Sequence, residues 1–313
     1  MSVKVSIIIP VFNIAPYLDK CMESACRQTL TDIEIIAVND ASTDNSLDIL
    51  HKWQRHDARI KIINHKTNTL TAAARNDGLN MACGEYVCFL DGDDYLDTDF
   101  CEKLYNLAKR TDADIAKGMA KTINPDKSAH IAADNDDIVK HGKFYFMGRL
   151  WTALYNRTRL LTTHDIKFHI DFFCFQIQAV YFANKIVCDD TTFYNYVRHE
   201  NSCDSDVFSI EKWTRLNLGH ANFIYDWINN HTYTDATRKF YRDQVKWLYF
   251  YGYKKLAKSD VAIGCKILAQ NICEHYNCGY NCANLKSLQH KLYRKHPKTT
   301  FADYLKNIVL HKI

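Results

Sequence analysis

At 313 residues, with 47% apolar and 24% charged side chains, the chain has the makeup of an ordinary folded protein rather than a collagenous, low-complexity or disordered one. A formal charge of +4 is too small to point to nucleic acid, and no uncharged apolar run reaches the roughly 18–20 residues of a membrane span. Twelve cysteines would suit a disulfide scaffold, but Met1-Ser2-Val3-Lys4 leads straight into a strand-like run, and Cys21, Cys26 and Cys88 fall in apolar stretches where a free thiol packs as a small hydrophobe. The expectation is a reduced, cytoplasmic protein.

In chain order, segments 5–11, 33–38, 60–63 and 86–90 are short, β-branched and almost continuously apolar, as strands covered on both faces are. Between them lie helical patterns. The first repeats Tyr17, Leu18, Cys21, Met22, Ala25 and Cys26; the second carries Leu47, Ile49, Leu50 and Trp53 after the capping candidates Asp44 and Ser46; the third covers about 71–81. This alternation predicts a doubly wound, mostly parallel α/β sheet. Three regions follow: 1–110 as a binding half, 111–205 as a mixed, aromatic-rich second half, and 206–313 as a helical, basic and aromatic end. Segment 124–137 is polar and reads as a loop. The aromatic stripe of Trp213, Phe223, Trp227, Phe240, Trp247, Phe250 and Tyr251 reads as core or packing surface. Cys265, Cys273, Cys278 and Cys282, with His275 among them, lack the paired C-x-x-C spacing of common zinc sites and read as buried or idle thiols. From Asn281 onward seven Lys and Arg residues face only Asp303; such a tail suits an anionic membrane surface, or is simply a solvated helical end.

Ligands of doubly wound sheets bind beyond the carboxyl ends of the strands, here at loops 12–16, 39–44, 65–71 and 91–97. The first glycine in the chain is Gly78, so no glycine-rich phosphate loop can follow the first strand. A nucleotide bound here needs another answer to its charge, and acids holding a divalent cation supply one. Asp91-Gly92-Asp93-Asp94 follows the fourth strand, where two carboxylates can share Mn²⁺ or Mg²⁺ with diphosphate oxygens. An EF-hand is rejected because Leu96 occupies the position that needs glycine; a plain acidic turn before a helix starting near Phe100 stays open. Asp40 ends the second strand, placed to accept hydrogen bonds from a base or ribose. Arg75 and Asn76 lie on the third helix, and Arg75 suits a phosphate or the ordering of the acids.

Taken together, these residues resemble the family 2 glycosyltransferases, inverting enzymes of the A-type fold. The matching stretches are Ser6 through Asn13, Gln28-Thr29, Ile35 through Asp44, Ala74-Arg75-Asn76-Asp77-Gly78, and Gly84 through Asp94. The resemblance implies a nucleotide pocket lined by Pro10, Val11 and Asn13, a base-contacting Asp40, Arg75 at its rim, and Asp91 and Asp93 as the ribose- and metal-binding pair. Asn39 stands where the family often has a second aspartate.

A weaker echo follows in Trp151 through Tyr155 and in Phe193 through Ser202, which resemble the opening and closing segments of the family's acceptor half. Between them the family carries Glu-Asp, whose carboxylate deprotonates the acceptor hydroxyl. Aligned on Phe175 and Ala179, this chain has Asp171 followed by Phe172. Asp171 is therefore the expected base, with Asp94 and Asp165 as substitutes and loss of catalysis as the alternative. The resemblance implies metal-dependent, inverting transfer from a nucleoside diphosphate sugar, UDP-linked, to a glycan or lipid-linked glycan in bacterial surface-carbohydrate assembly, at the inner membrane face. The alternative is a non-catalytic module that binds a nucleotide sugar or scaffolds a partner.

Overall fold

The computed structural model describes residues 2–132, 149–169, 172–199 and 210–243. The chain divides into two compact units, Met1–Ser202 and Cys203–Ile313. Among the described residues of the first unit, nine strands run in chain order as β1 (Val5–Val11), β2 (Ile33–Asn39), β3 (Ile60–Asn64), β4 (Tyr86–Phe89), β5 (Tyr95–Leu96), β6 (Ile115–Ile123), β7 (Ala129–Ala132), β8 (Ala153–Asn156) and β9 (Ile186–Val197). Among the same described residues five α-helices join them: α1 (Ala15–Cys26), α2 (Ser46–His56), α3 (Leu70–Met81), α4 (Phe100–Thr111) and α5 (Phe172–Phe182). All the strands share one sheet of order β3-β2-β1-β4-β8-β6-β9-β5, with β7 paired to β6.

Every residue of β1 and β2 is buried, as continuous apolar strands in the middle of a parallel sheet must be. Side chains alternate between two cores. Ile7, Ile9 and Val11 of β1 meet Leu18, Cys21 and Met22 of α1, Leu50 of α2 and Leu104 of α4 on one face. On the other, Ile8, Ile36 and Val38 meet Ala74 of α3 and Phe175 and Ala179 of α5. Cys21 and Cys88 are fully buried small hydrophobes, as expected from their apolar surroundings.

The parallel pairing expected from the first hundred residues holds for β1–β2, β2–β3 and β1–β4. Past β4 the sheet becomes mixed: β8 is antiparallel to β4 and β6, and β5 is antiparallel to β9, while β6 and β9 are parallel. The β4–β8 pairing joins 1–110 and 111–205 into one sheet. The segment 124–137 is not wholly a loop. A tight turn closes with Asn124 N–H donating to Ser128 O at 2.9 Å, Lys127 adopts φ 65°, and β7 then returns antiparallel along β6. The turn residues Asn124, Pro125 and Asp126 mask a strand only four residues long; residues 133–137 lie outside the described ones.

In the second unit α6 (Ile210–Asn230) buries Leu218, Ala221, Ile224 and Ile228 at helical spacing, and Trp227 donates its indole N–H to the Tyr233 hydroxyl at 2.8 Å. Trp247, Phe250, Tyr251, the cysteine cluster and the basic stretch lie outside the described residues. Among the described residues no helix is long and apolar enough to cross a membrane.

Candidate active site

Strand order reverses beside β1, with β2 on one flank and β4 on the other, and the ends of all three open on one rim. The loops after β1 and β2 are stitched together before any ligand arrives. Asn13, at φ 52°, accepts from Thr43 N–H at 2.7 Å through Oδ1, and its own N–H donates to Ser42 Oγ at 3.1 Å. Asp44 accepts from Ala15 N–H and Ser46 N–H, both at 3.0 Å, so one carboxylate satisfies the first turns of α1 and α2. Asn13 thus spends its amide oxygen on the neighbouring loop. Beside it, Phe12 stands 46% exposed at the rim.

Asp40 is almost fully buried at the end of β2, its N–H donating to Val11 O at 2.9 Å. Oδ1 lies 2.8 Å from His65 Nδ1, and both the N–H and the hydroxyl of Thr69 donate to it at 2.8 Å. Burial alone would raise its pKa, but these bonds outweigh it and hold the carboxyl below its ordinary range. His65 in turn places Nε2 3.2 Å from Asp77 Oδ2. His65 was not among the residues expected from sequence; its only local signal is its place just after β3.

The acid turn is organised by partners far away in sequence. Arg75, buried on α3, donates from Nη2 to Asp91 Oδ1 at 2.6 Å, so it orders the acids rather than forming a surface ion pair. Gly92 fits where a Cβ would come within 2.2 Å of Ile14 Cδ1 and 3.2 Å of the Pro10 carbonyl. The buried Tyr194 of β9 donates its hydroxyl to Asp94 Oδ2 at 2.7 Å and accepts from Asp91 N–H at 3.1 Å, while Val197 N–H donates to Asp94 Oδ1 at 2.7 Å. Trp151 stacks on Tyr194 with ring centroids 4.9 Å apart, which ties the start of β8 to the turn. Asp94 is 1% exposed and both of its oxygens accept hydrogen bonds.

Asp93 Oδ2 lies 2.9 Å from Nε2 of His199, whose ring stacks on Tyr17 at 4.2 Å. Burial first and the neighbouring Asp91 charge second push the Asp93 carboxyl up, and Asp94 is raised well above the usual range by burial, then by the Asp93 and Asp91 charges. Desolvated, crowded negative charge of this kind is relieved by a cation. The donor set suits one. Asp93 Oδ2 and His199 Nε2, 2.9 Å apart as a hydrogen-bonded pair, are a carboxylate oxygen and an imidazole nitrogen, both donors to divalent cations. Among the described residues no three His, Cys, Asp or Glu side chains converge on one point, so phosphate oxygens and water would complete the shell, as is usual for Mg²⁺ with nucleotides.

Asp171 lies outside the described residues. Phe172 opens α5 and packs half-buried against the second core, and Asp165 is exposed and paired with Lys167.

The model of the glycosyl transferase family 2 matches residues 6–182. The uncharacterised glycosyltransferase EpsJ of Bacillus subtilis is 34% identical over 215 residues, covering 63% of this chain and 62% of its own; the chain thus spans under two thirds of the length of that relative. Staphylococcus aureus TarS 1–349 in complex with UDP-GlcNAc shares the fold at TM-score 0.63 and 21% identity, over 84% of this chain and 75% of that one. The mannosyltransferase PcManGT from Pyrobaculum calidifontis, in complex with GDP-Man and Mn²⁺, shares it at TM-score 0.56 and 13% identity, over 98% and 85%.

Proposed function

Because the chain belongs to glycosyl transferase family 2, we propose that it transfers a sugar from a UDP-linked donor to a hydroxyl of a glycan or lipid-linked glycan, with inversion and with the help of Mn²⁺ or Mg²⁺. The observation that carries this reading is the convergence on one rim of a pre-oriented Asp40 and the Asp91–Asp93–His199 group. Asp40 accepts from the base or ribose. Pro10, Val11 and Asn13 form the wall of the nucleotide pocket, and Arg75 keeps Asp91 aimed at the rim. Asp93, with His199 beside it, would hold the cation while Asp91 takes the ribose; the cation when bound neutralises the diphosphate and stabilises the charge on the departing nucleotide. Asp171 is the base of a single displacement: it takes the acceptor proton as the hydroxyl oxygen attacks the anomeric carbon opposite the diphosphate. The basic stretch after Asn281 would keep the chain at an anionic inner membrane face, a reading that rests on its charge.

One observation favours a second reading. Phe172, where the family has its second acid, is a packing residue, and a chain without a working base would bind the donor as a module and not turn it over. A screen of UDP-, GDP- and TDP-sugars with and without Mn²⁺, repeated on Asp93→Ala, His199→Ala and Asp171→Asn, separates the two. Expected are Mn²⁺-dependent turnover of a UDP-sugar, a Mn²⁺ half-saturation raised roughly tenfold or more by His199→Ala, and turnover lost in Asp171→Asn. UDP-sugar binding without turnover in the parent chain supports the module; activity indifferent to Asp93→Ala refutes the metal site.

A further inference from the structure

The helix that holds Asp91 also reaches across to the acceptor side. Asn76 Nδ2 donates to the carbonyl oxygen of Phe168 at 2.8 Å, and Asn76 Oδ1 accepts from the N–H of the same residue at 2.9 Å. One side-chain amide therefore satisfies both backbone groups of a residue distant in sequence, which fixes its position and its orientation together. Phe168 is held from its other end as well. Its ring is buried, stacks on Phe175 of α5 at 4.3 Å between centroids and meets Phe89 of β4 edge-on at 5.0 Å. The Arg75 guanidinium lies 5.5 Å from the same ring centre while its Nη2 holds Asp91.

Successive residues of an α-helix project about 100° apart. Arg75 and Asn76 therefore diverge from one point of α3, the first to the donor turn and the second to the chain that leads into α5. We propose that Asn76 is a positioning residue for sugar transfer: acting through Phe168, it keeps the acceptor-side chain entering α5 in register with the donor turn that Arg75 holds. The inference rests on the glycosyltransferase reading above. A direct displacement is sensitive to such registry, since misplacement by about 1 Å can cost on the order of 10²-fold in rate. Donor affinity does not depend on it, because Asp40 and Asp91 are anchored without Asn76.

Two graded variants of the full chain test this. Asn76→Asp keeps the acceptor for Phe168 N–H and removes the donor to its carbonyl; Asn76→Ala removes both. Expected are UDP Kd and donor KM within about twofold of the parent, and a kcat lower by roughly 10–100-fold in Asn76→Ala and by less in Asn76→Asp. Amide exchange at Phe168 should rise in Asn76→Ala and stay near the parent in Asn76→Asp, while that of the 91–97 turn stays as in the parent in both. Arg75→Lys should give the opposite split, with UDP Kd raised. The positioning role is overturned if folded Asn76→Ala keeps the parent kcat, if its UDP Kd weakens as much as its kcat, or if Phe168 exchange is unchanged. A parent chain that turns over no donor, yet shows the expected exchange pattern in both variants, overturns the transferase reading while Asn76 still holds the acceptor-side chain.

Discussion

At Asp40 a carboxylate only 3% exposed is kept ionised by three contacts, all falling on Oδ1. They hold that oxygen at the end of β2 through groups from the loop after β3. A hydrogen bond to a charged group contributes about 1.5–3 kcal/mol. Asp40→Asn is therefore expected to raise donor KM or UDP Kd by roughly 10–100-fold with kcat little changed; initial-rate kinetics that show the reverse split would remove Asp40 from nucleotide binding. Asp40, Asp91 and Asp93 are legible in sequence because each acid follows the end of a strand-like run, and strand ends face the ligand in this architecture. His65 and His199 are not. A histidine after a strand is more often a packing residue, and only its distance to Asp40 or Asp93 gives it a role.

Among the elements, the junction between α3 and β4 shows how closely the backbone must approach. A Cβ on Gly84 would lie 2.6 Å from the Ser6 nitrogen and 2.9 Å from the Tyr86 carbonyl oxygen, both backbone atoms that cannot step aside. Gly84 also donates its N–H to Ser6 Oγ at 2.9 Å. Gly84→Ala is expected to destabilise the chain by about 1–3 kcal/mol, read as a lower urea midpoint at unchanged slope. No such penalty would mean that β1 and β4 can separate at this end. The short β5 is placed by its partner: Tyr95 pairs with Asn195 and Leu96 with Tyr194, immediately after a turn whose Asp94 already bonds β9. Two residues carry no periodicity, so nothing in the sequence marks β5 as a strand.

At the larger scale, β1, β2, β3 and the loop before β4 are bound by one buried charge. Glu34 accepts from Ser6 Oγ, from Cys83 N–H at 2.7 Å and from Lys61 Nζ at 2.7 Å. Burial would raise its pKa, but Lys61, Ser6 and the Cys83 amide outweigh it and lower the carboxyl from 4.5 to about 2. A depressed carboxylate pKa adds stability that is full above pH 4.5 and is lost as pH falls towards about 2. At about 1.4 kcal/mol per pH unit this amounts to at most about 3 kcal/mol, trimmed by solvent screening because Lys61 is half-exposed. Urea unfolding across pH 2–7 should show that slope, and Glu34→Gln should be less stable at pH 7 and flatter below pH 4.5; parallel curves for the two would refute the assignment. The β–α alternation, both faces of the core and the acid turn were determined by the sequence alone, because period and turn chemistry act between near neighbours. Only the tertiary structure decided that the second half of the sheet is mixed, that Arg75 bonds Asp91 while Asn76 bonds Phe168, and that His199 lies against Asp93. Those pairings join residues that only strand order brings together, and local periodicity does not encode strand order.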